Sequence, residues 1–133
     1  MAQIIKHDDA IHVLLVEDEF LIAEWVAEAL SDQGFAVNTA TNARDALQLL
    51  ASAPVDVLFT DINLAGGMDG AALARRAREI VPDLPVVYAS AKVGMLEPAA
   101  RVPGSVFVPK PYEAEAVGKL IAHAVKSAAL VPA

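Results

Sequence analysis

Apolar runs of strand length alternate with stretches of helical period along the whole chain. The runs are IHVLLV from Ile11, AVNTA from Ala36, VDVLFT from Val55, PVVYAS from Pro85 and SVFVP from Ser105, five in all. Strand-length apolar runs separated by helices are the mark of a parallel sheet covered on both faces. Between them, EFLIAEWVAEALSDQG places Leu21, Ile22, Val26, Ala29 and Leu30 at helical spacing and ends at Gly34, which can adopt the left-handed stop. NARDALQLLASAP opens on Asn42 as an N-cap, carries Asp45 where an acid favours the helix dipole, and stops before Pro54. DGAALARRAREIV puts Leu73, Ala77 and Ile80 on one face and Arg75, Arg76, Arg78 and Glu79 mostly on the other, and Pro82 ends it. YEAEAVGKLIAHAVKSAAL supplies a last helix through Val117, Leu120, Ile121 and Val125.

The fourth crossover breaks this regularity. AKVGMLEPAARVPG contains Gly94, Pro98, Pro103 and Gly104, so the fourth helix is expected to be short or irregular. The predicted fold class is α/β, a doubly wound five-stranded parallel sheet. No linker or repeat divides the chain, so one domain is expected over residues 11–128. Residues 1–10 form an N-terminal extension in this reading and 129–133 a C-terminal tail.

Composition narrows the function classes. The 133 residues are 56% hydrophobic and 20% charged, apolar enough to offset the entropy of ordering. A formal charge of -7 disfavours nucleic acid and anionic lipid, both of which require clustered Lys and Arg, and suits a cation or a basic partner. With no cysteine, disulfides and thiolate metal sites are excluded. His7, His12 and His123 lie too far apart in sequence for metal-ligand spacing. MAQIIKHDD turns acidic before any useful apolar stretch, unlike a secretory signal, and no apolar run reaches the roughly 18 residues that span a bilayer. A cytoplasmic protein with no membrane insertion is expected.

In open parallel sheets, ligands sit outside the carboxyl ends of the strands. Strand one ends at Glu17 and Asp18, strand three at Asp61, strand four at Ser90 and Ala91, and strand five at Lys110 and Pro111. Carboxylate oxygens suit Mg²⁺, which binds through few protein groups plus a phosphate. A carboxylate beside that metal can act as a nucleophile toward phosphorus, and a lysine and a hydroxyl can cover the remaining phosphoryl oxygens. Taken alone, Glu17, Asp18 and Glu19 read equally well as the solvated first turn of a helix, and Glu19 is assigned that role. Asp8 and Asp9 precede strand one and belong at the opposite end of the sheet.

VLLVED, VLFTDINLAGGMDG, PVVYASA and FVPKPY occur in this order, and with them the chain resembles the receiver domain of bacterial two-component response regulators. The resemblance implies the flavodoxin-like strand order 2-1-3-4-5 and Asp61 as the phosphoacceptor. It implies Mg²⁺ held directly by Asp18, through water by Glu17, and by Asp61 and the Asn63 backbone carbonyl. Ser90 is the implied switch hydroxyl, Lys110 the phosphoryl-binding lysine, Phe107 the aromatic that changes rotamer, and Pro111 the cis-proline after the lysine. The implied partners are a histidine kinase or histidine phosphotransfer protein and an unknown downstream protein target. PVVYASA and the weak fourth helix are similar to a subgroup of stand-alone receivers in alphaproteobacteria.

The loop after Asp61 departs from the family pattern, with Ala65 in place of a proline and one added residue, which loosens the loop and the placement of Asn63. Phe107 lacks the hydroxyl of the tyrosine often found there, so a switch through it would act by packing. Lys92 and Asn63 sit where the family tunes the phosphoryl lifetime. The expected function is a single-domain regulator, since no output domain fits after the last helix. Two alternatives stand beside it. An aspartyl-phosphate phosphohydrolase needs a second acid two residues after its nucleophile, and Asn63 occupies that position. A receiver-like interaction module that is never phosphorylated is the other. Trp25 is either a half-buried core edge or part of a partner surface.

Overall fold

The computed structural model describes residues 10–91 and 100–130. Its elements run β1 (His12–Val16), α1 (Phe20–Asp32), β2 (Ala36–Ala40), α2 (Ala43–Ser52), β3 (Val57–Asp61), α3 (Gly70–Ile80), β4 (Val86–Ser90), β5 (Val106–Pro109) and α4 (Ala114–Leu130). Residues 92–99, on which the expectation of a short or irregular fourth helix falls, lie outside the described residues, as do His7, Asp8, Asp9 and Lys92. All strands pair in parallel in the order β2-β1-β3-β4-β5, the flavodoxin-like arrangement. The chain leaves β1 toward β2 and returns past it to β3, so the switch point lies between β1 and β3.

The alternation of side chains along each strand divides the interior into two layers. Leu14, Val16, Leu58, Val86 and Tyr88 pack with Ala46 and Leu50 of α2 and Leu73 and Ala77 of α3. Val13, Leu15, Val57, Phe59, Val87 and Ala89 pack on the other face with Val26 and Leu30 of α1 and Val117 and Ile121 of α4. The central strands are therefore apolar at nearly every position short of their carboxyl ends, because both faces are covered.

Several helical positions differ from the sequence pattern. Leu21 is 79% exposed, and α1 instead buries Ala23, Val26 and Leu30. Ile80 and Leu120 are also exposed. Ile80 is the last residue of α3, where the helix stops offering a face to the sheet, and Leu120 lies beside the buried Ile121 on the outer side of α4. Gly34 ends α1 at φ +100, a conformation that L side chains rarely adopt.

Asn42 caps α2 reciprocally. Its Oδ1 accepts from the Asp45 N–H at 2.8 Å, while its Nδ2 donates to Asp45 Oδ2 at 3.1 Å. Asn42→Ala is expected to cost about 1 kcal/mol, the usual value of such a cap. Denaturant titration checks this, and an unchanged midpoint would show the cap to be dispensable.

Candidate functional site

Side-chain parity at the strand ends decides which groups meet. Glu17 continues the register of Val13 and Leu15, its N–H donating to Ala40 O at 3.1 Å in the manner of the β1–β2 ladder. Asp61 follows Val57 and Phe59, and Lys110 follows Val108, so all three share the parity of the face covered by α1 and α4. The adjacency of β1 to β3 sets Glu17 beside Asp61, and the Lys110 side chain reaches both from the end of β5, across β4. Glu17, Asp18 and Asp61 each place a carboxylate oxygen within 4.8 Å of the others. Lys110 Nζ lies 3.2 Å from Glu17 Oε1 and 3.0 and 3.1 Å from the two Asp61 oxygens.

The burial of these groups sets their electrostatics. Glu17 is only 3% exposed, and burial raises its pKa above the usual carboxylate range. The Glu19 N–H, which donates to Glu17 Oε2 at 3.2 Å, and Lys110 offset this in part. Burial likewise raises Asp61, with the charge of Asp18 adding to it and Lys110 opposing it. For Lys110, burial favours the neutral amine, but Asp61 and Glu17 outweigh it and the net shift is upward. Asp18 is exposed at the mouth of the cluster. Three clustered carboxylates with one ammonium leave an excess of negative charge, and their oxygens are the hard donors that Mg²⁺ prefers. Glu17, Asp18 and Asp61 therefore fit a divalent cation.

The remaining residues singled out from sequence lie around this cluster. Ser90 is buried at the end of β4, one residue beyond Ala89, the register partner of Asp61. The Lys110 N–H donates to Ser90 O at 2.8 Å, tying the lysine's backbone to the same strand end. The Lys110–Pro111 peptide bond is cis. Asn63 is exposed in the turn after Asp61. Phe107 is not in the cluster. It packs in the α2/α3 layer, with the Arg101 guanidinium 5.3 Å from its ring centroid, and its register partner is Tyr88.

Two contacts near the site were not among those singled out from the sequence. Tyr112 stacks edge-on against Phe59 with ring centroids 5.6 Å apart, and burial pushes its phenol up to about 12. The buried hydroxyl of Tyr88 accepts the Val102 N–H at 3.2 Å, tying β4 to the segment that enters β5. The aromatic in KPY was a local signal for the first contact. The second joins residues 14 apart across a crossover and has no local signature.

Comparison with known proteins places this site in a family. The response regulator receiver domain family matches residues 13–122. The response regulator receiver protein CpdR of Brucella abortus (strain 2308) is 38% identical over 76 residues, 57% of this chain and 62% of the relative. The transcriptional regulatory protein QseB of Escherichia coli O157:H7 is 36% identical over 85 residues, 64% of this chain and 38% of the relative. The chain thus spans less than two thirds of either relative's length. A crystal structure of a response regulator receiver protein from Sinorhizobium medicae WSM419 matches with a TM-score of 0.83 and 29% identity, covering 90% of this chain and 98% of that one. With the matched segment running from β1 into α4 and holding every charged group of the cluster, the chain belongs to the response regulator receiver domain family.

Proposed function

We propose that this chain is a response regulator receiver of a two-component phosphorelay, acting in the cytoplasm. It takes a phosphoryl group onto Asp61 from a histidine kinase or histidine phosphotransfer protein. The observation that carries this reading is the sharing of Lys110 between Glu17 and Asp61, with Asp18 alongside, at the switch point of the sheet. An Asp61 oxygen forms the new P–O bond as the P–N bond to the donor imidazole breaks, and that bond's electron pair leaves with the imidazole nitrogen. Mg²⁺, when held by Glu17, Asp18, Asp61 and the Asn63 carbonyl, supplies positive charge to the phosphoryl oxygens. Lys110 holds the nucleophile in place and pairs with a phosphoryl oxygen as the charge shifts. Ser90, at the neighbouring strand end, donates to another oxygen, and Phe107 follows by repacking.

The partner must cover the edge of the sheet that holds Asp61. Trp25 is 61% exposed there, and with Ile22, Val26, Pro111 and Tyr112 it lines a groove of about 380 Å³ beside Lys110. This apolar groove favours the partner-surface reading of Trp25. No described helix is long and apolar enough to cross a membrane. The signal then passes onward by protein contact, or the chain serves as a phosphate shuttle or sink.

Incubation with a small-molecule phosphodonor and Mg²⁺, followed by intact mass, tests the reading. One phosphoryl adduct per chain, decaying on standing, is expected. Absence of any adduct would overturn the phosphoacceptor role and leave the unphosphorylated module. Rapid multiple turnover on unrelated phosphate esters would instead indicate a phosphohydrolase.

A further inference from the structure

We infer that Gly70 is a positioning residue for Asp61, holding the backbone behind the carboxylate so that it points at Lys110 and the metal site. Gly70 is the first residue of α3, and its backbone is not in the left-handed region, so what it provides there is space. A Cβ built on it would collide with the Asp61 carbonyl oxygen and would lie 2.9 Å from Ile62 Cα and 3.0 Å from the Asp61 carbonyl carbon. These are backbone atoms and cannot rotate away. Accommodating a side chain requires the start of α3 or the Asp61–Ile62 peptide to move.

The hydrogen bonds show what that peptide is fastened to. The Ile62 N–H donates to Ala89 O at 2.9 Å, and Ile62 O accepts the Gly70 N–H at 2.7 Å. Ile62 itself is buried. The residue after the acceptor is therefore pinned on one side to β4, beside Ser90, and on the other to α3. Asp69 fixes the helix end at that point by capping the Ala72 N–H at 2.8 Å. The Ile62–Gly70 junction closes the base of the loop between them, in which Gly66 and Gly67 both take positive φ. The stretch at Ala65 thus hangs from a closed base.

This inference rests on the reading of Asp61 as metal ligand and acceptor. Calorimetric titration of the intact chain with Mg²⁺ alone tests it, comparing wild type, Gly70→Ala and Val117→Ala. Val117 is buried on the face of the sheet away from α3, and its truncation controls for general loss of stability. Gly70→Ala is expected to weaken Mg²⁺ binding at least tenfold, with Val117→Ala within twofold of wild type. Equal affinity in Gly70→Ala, or equal weakening in both variants, would overturn the positioning role while leaving Asp61 as a ligand. Failure of wild type to bind Mg²⁺ would instead overturn the metal reading itself, and this inference with it.

Should Gly70→Ala not fold, hydrogen exchange on wild type decides, because coupling between two sites is reciprocal. Mg²⁺ is expected to slow exchange of the Gly70 amide several-fold more than that of Gly34, whose N–H is held to Ser31 O in a turn away from the site. Equal slowing at both amides would overturn the inference.

Discussion

Asp61→Asn is expected to abolish the phosphoryl adduct and, in the same protein, to raise the melting temperature by several degrees. The first effect follows because an amide oxygen is a poor nucleophile toward phosphorus and no described side chain substitutes for it at the centre of the cluster. The second follows from burial, which raises the pKa of Asp61. A group whose pKa is raised on folding stabilises the fold below its ordinary pKa, here 3.8, and loses that contribution as pH rises through the folded value. At neutral pH the ionised carboxylate therefore opposes folding, and so does Glu17, raised above 4.5 for the same reason. The gain from Asp61→Asn should grow as pH is raised from the acid range toward neutrality and shrink when Mg²⁺ compensates the wild-type charge. Melting curves across that range check this. An adduct retained in the variant would move the acceptor elsewhere, and a lowered melting temperature at neutral pH would show that pairing with Lys110 outweighs burial.

Lys110→Met is expected to produce the opposite change, a protein less stable at neutral pH that acid or Mg²⁺ restores. Lys110 is the cation paired with the two most buried carboxylates of the cluster. Removing one member of a buried ion pair costs about 3–5 kcal/mol. The lysine side chain is 24% exposed, so solvent screening reduces the expected loss to about 2 kcal/mol. That corresponds to a fall of about 6 °C for a domain of this size. The raised pKa of Lys110 carries the same sign, since its stabilisation is present below its ordinary 10.5 and is lost only as pH rises through the folded value. Protonating Glu17 and Asp61 or supplying Mg²⁺ should each restore much of the lost stability. A cation held at 100-fold above its dissociation constant adds about 2.7 kcal/mol. Thermal melts at acid and neutral pH, with and without Mg²⁺, check both routes. Equal melting temperatures for wild type and variant at neutral pH would show the pairing to be energetically idle.

Periodicity and strand-end chemistry carried most of the fold, because local patterns reflect local constraints. VLLV, VLFT and VVYA are apolar at nearly every position because each strand is covered on both faces, and this reads directly from the residues. Asn42 and Gly34 act where the sequence places them because caps and left-handed stops depend on the backbone within a turn of themselves. Leu21, Ile80 and Leu120 belong to apolar stripes yet are exposed, because helical period alone does not say which edge of such a stripe meets the sheet. That is decided by the docking angle of the helix, a tertiary quantity.

The charged cluster divides in the same way. Glu17, Asp18, Asp61 and Lys110 were identifiable in sequence because each follows an apolar strand, and the strand-end rule collects them at one edge. Their sharing of a single lysine depends on strand parity and on the order β2-β1-β3-β4-β5, which sets Glu17 and Asp61 on adjacent strands. The place of Gly70 shows the difference most clearly. The residues MDG contain the glycine, but its need to be one arises from the Asp61 carbonyl that a returning helix presses against. The sequence by itself determined the strands, the helices and the chemical kind of the site, because these depend on composition and spacing within a few residues. Only the tertiary structure decided which face each helix buries, which carboxylates the lysine pairs with and which backbone must stay bare, because those depend on distances between segments far apart in the chain.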